Sequence, residues 1–128
     1  MAKKILIVDD EPHIRLLIEQ ALEDLEDQDV ELMTATNGRE ALQLIQDELP
    51  QLVFLDVMMP HMNGFEVCSV VKHDLNLPDI YIIMLTAKGQ EFDKKKGQEV
   101  GADLYMTKPF DPDELVEKAI ATLGLDAI

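Results

Sequence analysis

The chain has 128 residues, 47% of them apolar, and 26 acidic against 11 basic side chains give a formal net charge of −15. That length holds one domain (1–128) with a full core, and the acidic balance excludes a surface that grips nucleic-acid phosphates. With no apolar run long enough to cross a bilayer, no h-region of a secretory signal and a single cysteine, the expected setting is a reducing cytoplasm without membrane contact.

Ile5-Leu6-Ile7-Val8 is a short apolar run that ends on Asp9-Asp10. Pro12 suits the first turn of a helix, and Ile14, Leu17, Ile18, Ala21, Leu22 and Leu25 follow at helical spacing. Residues 30–35 alternate as an edge strand does, Asn37-Gly38 turns the chain, and Ala41, Leu42, Ile45 and Leu49 mark a second helix before Pro50. Leu52 to Leu55 reads as a strand buried on both faces; it ends on Asp56 and breaks into a loop marked by Pro60 and Asn63-Gly64. Phe65, Cys68, Val71 and Leu75 predict a third helix, in which Cys68 is a packed thiol.

The longest apolar run, Ile80 to Leu85, ends on Thr86. Residues 89–101 form a weakly patterned fourth helix, with Phe92 and Val100 its main apolar residues and Lys94-Lys95-Lys96 on a solvated face. Residues 103–107 make a short strand that ends at Lys108-Pro109, and Pro112-Asp113-Glu114 opens a fifth helix. Strand and helix alternate five times, which predicts an α/β, flavodoxin-like, doubly wound parallel sheet in the order 2-1-3-4-5 with five helices.

Ligands of such sheets sit at the carboxyl ends of the strands. Here those ends carry Asp9-Asp10, Asp56, Thr86 and Lys108, so three carboxylates against one lysine leave a charge of −2 in one crevice. Crowded carboxylates either take up protons or hold a cation, and an all-oxygen set without histidine or thiol favours Mg2+. His13, His61 and His73 lack ligand spacing and read as solvated. A divalent cation beside a carboxylate, a hydroxyl and a lysine suits phosphoryl transfer, with Asp56 as nucleophile and Lys108 and Thr86 on the oxygens of the transferring group.

The segments Ile7-Val8-Asp9-Asp10-Glu11, Leu55-Asp56-Val57-Met58-Met59-Pro60 through Asn63-Gly64, Leu85-Thr86-Ala87 and Lys108-Pro109-Phe110 resemble a two-component response-regulator receiver domain of the CheY type. The resemblance covers the whole chain. It implies that Asp56 accepts a phosphoryl group from a histidine kinase or phosphotransfer protein. Asp10, Asp56 and the Met58 backbone carbonyl would hold Mg2+, and Asp9 would act through a bound water. Thr86 and Tyr105 match the family's switch pair, and Lys108-Pro109 matches its lysine and its usually cis proline. Gly64 reads as a loop turn and Gly101 as a helix end, both needing a permissive backbone.

A phosphatase or phosphotransferase with an aspartate nucleophile is the alternative from another class. Such enzymes usually carry a second aspartate two residues on as general acid, where this chain has Met58. A dinucleotide-binding domain lacks its Gly-x-Gly-x-x-Gly after the first strand, and a binding module without chemistry leaves the crevice's charge unexplained. A receiver is therefore expected to catalyse only its own phosphorylation and dephosphorylation.

The thinly patterned fourth helix places the output surface on the fourth helix, fifth strand and fifth helix, toward an output domain or a downstream protein. DNA-binding relatives of the winged-helix kind dimerise there through salt bridges. Lys94 and Glu114 match one pair, but Leu104 stands where those relatives carry an aspartate facing the position of Lys118, so only a weak homodimer on phosphorylation is expected. Met58 and Lys88 flank the phosphoryl position without offering a base, which predicts a lifetime of many minutes or longer.

Overall fold

The computed structural model describes residues 2–87 and 91–127, with side chains except at 87 and 91–94. Five strands, β1 (Lys3–Val8), β2 (Val30–Ala35), β3 (Leu52–Asp56), β4 (Tyr81–Ala87) and β5 (Leu104–Lys108), form one parallel sheet in the order β2-β1-β3-β4-β5. Five helices connect and cover them: α1 (Pro12–Leu22), α2 (Gly38–Glu48), α3 (Gly64–Ser69), α4 (Glu91–Glu99) and α5 (Pro112–Leu123). The expected order and edge strands are those observed.

The apolar runs are continuous because the central strands are buried on both faces. Leu6, Val8, Val53, Leu55, Ile82 and Met84 point to one face and pack with Ala41, Ile45, Phe65, Val67 and Val71 from α2, α3 and the turn that follows α3. Ile5, Ile7, Leu52, Phe54, Ile83 and Leu85 point to the other and meet Ile18, Leu22, Leu115 and Ala119 from α1 and α5. Cys68 is fully buried, as a packed thiol should be, and its Sγ donates to the Val100 carbonyl oxygen at 3.5 Å.

Local chemistry sets where the helices start. Asn37 is the N-cap of α2, accepting from the Glu40 N–H at 2.9 Å. Asn63 and Glu66 form a reciprocal capping box at α3, with bonds of 3.0 and 3.2 Å. Asp111 caps α5, with Pro112 in its first turn.

The helical readings need three corrections. The apolar stripe predicted one helix through Leu25, but the α-helix stops at Leu22 and a 3-10 helix, Glu23–Gln28, carries Leu25 into the core. The third helix changes to a π-helical turn over Val70–Asp74. Asn37-Gly38 and Asn63-Gly64 are helix starts, each an N-cap followed by the first helical residue, where turns were expected.

The π-turn has an occupant that periodicity could not reveal. Lys72, only 9% exposed, donates from Nζ to the carbonyl oxygens of Pro78 (2.9 Å) and Ile80 (2.7 Å) and to Asp103 Oδ2 (2.8 Å). Asp103 Oδ2 also accepts from the Ile82 N–H at 2.8 Å. This node ties the end of the third helical segment to the starts of β4 and β5. Gly101, with φ +91, passes directly over the Lys72 stem, as the expected helix-end glycine.

Candidate phosphoacceptor site

The parallel register brings the strand ends to one edge of the sheet. Asp56 lies opposite Leu85, Thr86 opposite Thr107 and Ala87 opposite Lys108, while Asp9 and Asp10 follow β1 directly. Asp9, Asp10 and Asp56 each offer a carboxylate oxygen, and these atoms lie within 4.8 Å of one another. Asp9 and Asp56 are buried at 0% and 3% exposure, whereas Asp10 opens to solvent.

Lys108 answers the question of what compensates the buried carboxylates. Its Nζ lies 3.0 Å from Asp9 Oδ2 and 3.1 Å from Asp56 Oδ1, so one ammonium bridges both. Asp9 Oδ1 also accepts from the Glu11 N–H at 2.9 Å, and Arg15 donates from Nη1 to the Asp9 carbonyl oxygen at 2.6 Å. Asp56 Oδ1 accepts from the Met58 N–H at 3.3 Å. Arg15 was not among the expected site residues; on a helix of otherwise apolar periodicity it reads as an ordinary exposed cation.

Two negative charges on one positive leave the site short of cations. Burial and the neighbouring Asp9 push the Asp56 carboxyl up from its ordinary 3.8 to about 7, against the opposing pull of Lys108. Burial alone would lower the Lys108 ammonium, but Asp56 and Asp9 outweigh it and hold the ammonium above its ordinary value. A carboxylate raised in this way is one that a cation would stabilise. The donor set is all oxygen and Asp10 faces water, so it suits a hard divalent ion that keeps part of its hydration shell.

The remaining expected residues fall around this centre. Thr86 is 4% exposed, and its hydroxyl donates to the Met106 carbonyl oxygen on β5 at 3.5 Å. Tyr105 is half-buried against the core face shared with α2 and α3. The Lys108–Pro109 peptide is cis. Met58 is 62% exposed. Lys88 lies outside the described residues, as do the side chains of Phe92 and Lys94. His13, His61 and His73 are exposed, as expected of solvated histidines.

Gly64 is required for a reason other than the one expected. Its φ is not in the left-handed region; instead a Cβ there would sit 2.4 Å from the Asp56 carbonyl oxygen. The Gly64 N–H donates to the Val57 carbonyl oxygen at 2.9 Å, and Val57 in turn donates to Leu85 at 3.1 Å. The start of α3 is thus pressed against the end of β3, and only a residue without a side chain permits it.

The family model for the response regulator receiver domain matches residues 5–120. Over 124 residues (96% of this chain) the sequence is 47% identical to the alkaline phosphatase synthesis transcriptional regulatory protein PhoP of Bacillus subtilis, covering 49% of that protein. Over 123 residues (96% of this chain) it is 48% identical to the phosphate regulon transcriptional regulatory protein PhoB of Pseudomonas aeruginosa, covering 52% of it. The chain therefore spans about half the length of these curated relatives. Among solved structures, the Vibrio cholerae chemotaxis protein CheY4 superposes with a TM-score of 0.83 at 34% identity, over 95% of this chain and 99% of that one.

Proposed function

The chain belongs to the response regulator receiver domain family of two-component systems, and from that premise we propose that Asp56 is its phosphoacceptor, charged by a histidine kinase or phosphotransfer protein. Residues 1–128 would act as a single receiver unit. The observation that carries the assignment is the burial of Asp56 within 3.1 Å of Lys108 and beside two further aspartates. Receiver domains bind Mg2+ at an acidic cluster, and Asp9, Asp10 and Asp56 form such a cluster here.

In the transfer, an Asp56 carboxylate oxygen attacks the phosphorus of a phosphohistidine. The new P–O bond forms as the P–N bond breaks, and the electron pair leaves with the imidazole. Lys108, already at hydrogen-bond distance from Asp56, would follow the charge onto a phosphoryl oxygen. Asp10 and Asp56, with the Met58 carbonyl, would hold Mg2+, and Asp9 would reach it through water. When bound, that ion neutralises charge on the transferring group. Little general acid is needed, because the protonated imidazole is a good leaving group; Met58 in place of an acid therefore fits acceptance better than turnover.

Thr86 supplies the switch. Its hydroxyl now rests on the Met106 carbonyl, and a phosphoryl group on Asp56 would offer it a stronger, charged acceptor. Its departure from β5 would draw Tyr105 inward and shift α4, β5 and α5 toward an output domain or downstream protein. PhoP and PhoB are transcriptional regulatory proteins, and this domain would control an output of that kind with no nucleic-acid contact of its own. No helix among the described residues is long and apolar enough to cross a membrane, and cytoplasmic action is part of the same reading.

The test is labelling with acetyl phosphate and Mg2+, read by intact mass. One phosphoryl group is expected on the wild type and none on Asp56→Asn. Full labelling of Asp56→Asn, or of the wild type in excess chelator, overturns the assignment.

A further inference from the structure

The most exposed large apolar side chain among the described residues lies two positions past Asp56. Met58 is 62% exposed, while Met59, Met84 and Met106 are buried and Met33 and Met62 half-buried. Its main-chain N–H donates to Asp56 Oδ1 at 3.3 Å, which ties residue 58 to that carboxylate. A thioether so exposed is open to two-electron oxidants, and its conversion to a sulfoxide replaces an apolar group with a polar acceptor.

We propose that Met58 is an oxidation-sensitive modification site, where a hydroperoxide forms the sulfoxide and thereby shortens the life of a phosphoryl group on Asp56. The lifetime half of this rests on the function proposed above. In the step, a sulfur lone pair attacks one peroxide oxygen; the S–O bond forms and the O–O bond breaks. Sulfur loses two electrons, and the departing hydroxide takes the proton of the new S–OH group, leaving the sulfoxide and water. As a thioether two residues past Asp56, Met58 offers a water near that carboxylate no hydrogen bond. As a sulfoxide, it presents an oxygen able to hold a water in line with the phosphorus. The thiol of Cys68 does not compete: it is fully buried and pushed up to about 11, chiefly by burial.

Limited hydrogen peroxide followed by peptide mass mapping should find sulfoxide at Met58 before any other described methionine and before oxidation of Cys68. The oxidised protein, labelled with acetyl phosphate and Mg2+, should lose its phosphoryl group several-fold faster than the reduced protein. Met58→Leu should show no response to peroxide, and Met58→Gln should hydrolyse fast without it. Earlier oxidation elsewhere, or equal lifetimes for the Met58 sulfoxide and the thioether, would overturn the proposal. If the reduced wild type takes no label at Asp56, the function itself falls, and the lifetime effect falls with it; a labelled protein whose lifetime ignores the sulfoxide defeats this inference alone.

Discussion

Gly64 and Asp56 are in contact through backbone: a Cβ on Gly64 would stand 2.4 Å from the Asp56 carbonyl oxygen. The same contact positions the loop from Val57 to Asn63, because Gly64 N–H holds the Val57 carbonyl. Gly64→Ala must therefore move main chain, since no flexible side chain is there to give way. A loss of about 1–3 kcal/mol in urea unfolding is expected, together with slower labelling of Asp56. Unchanged stability and labelling would contradict the close approach.

The Asp56 charge should cost the metal-free protein stability. With a folded value of about 7 against an ordinary 3.8, the folded state binds more protons than the unfolded chain between those pH values. Stability thus falls as pH rises from about 4 to about 7 and then levels. Asp56→Asn should match the wild type near pH 4 and exceed it by about 2–4 kcal/mol at pH 8 in chelator. A difference that does not change with pH would rule out a raised Asp56.

Lys72 should be the most costly single cation to remove. Lys72→Met leaves Asp103 and two carbonyl oxygens without their donor at a site where the lysine side chain is 7% exposed. A loss of about 3 kcal/mol is expected. Asp103→Asn should cost less, since an amide oxygen can still accept from Ile82, and a double-mutant cycle should show coupling between the two. Independent, additive losses would argue against the node.

Phosphorylation should be felt on one side of the molecule. Amide shifts are expected in β4, β5, α4 and α5, and Thr86→Ala should remove most of those beyond β4 while leaving Asp56 labelled. Shifts confined to α1 and α2 would refute the placement of the output surface.

The phosphoryl group should persist for many minutes in the reduced wild type with Mg2+ present. Met58→Glu should alter the hydrolysis rate about tenfold for each 1.4 kcal/mol of barrier. Loss within seconds in the wild type would show that the apolar cover does not protect the phosphorus.

The sequence by itself determined the sheet order and which polar residues stand at the strand ends. Apolar runs buried on both faces must be central strands, and three of these with two more mixed edge strands, all alternating with helices, leave few topologies open. Asp9, Asp56 and Thr86 were legible because each comes at the end of such a run, where a charged or hydroxyl group is out of place unless it has a partner, and Lys108 because it ends the neighbouring edge strand. Only the tertiary structure decided how those partners pair. That one ammonium serves both Asp9 and Asp56, that Thr86 rests on Met106, and that Lys72 bridges to Asp103 across 31 residues all depend on strand register and side-chain reach. The change to 3-10 and π turns after α1 and α3 was hidden for a related reason. Hydrophobic spacing records which residues face the core, and a 3-10 or π turn leaves Leu25 and Val71 facing it just as an α-helix would.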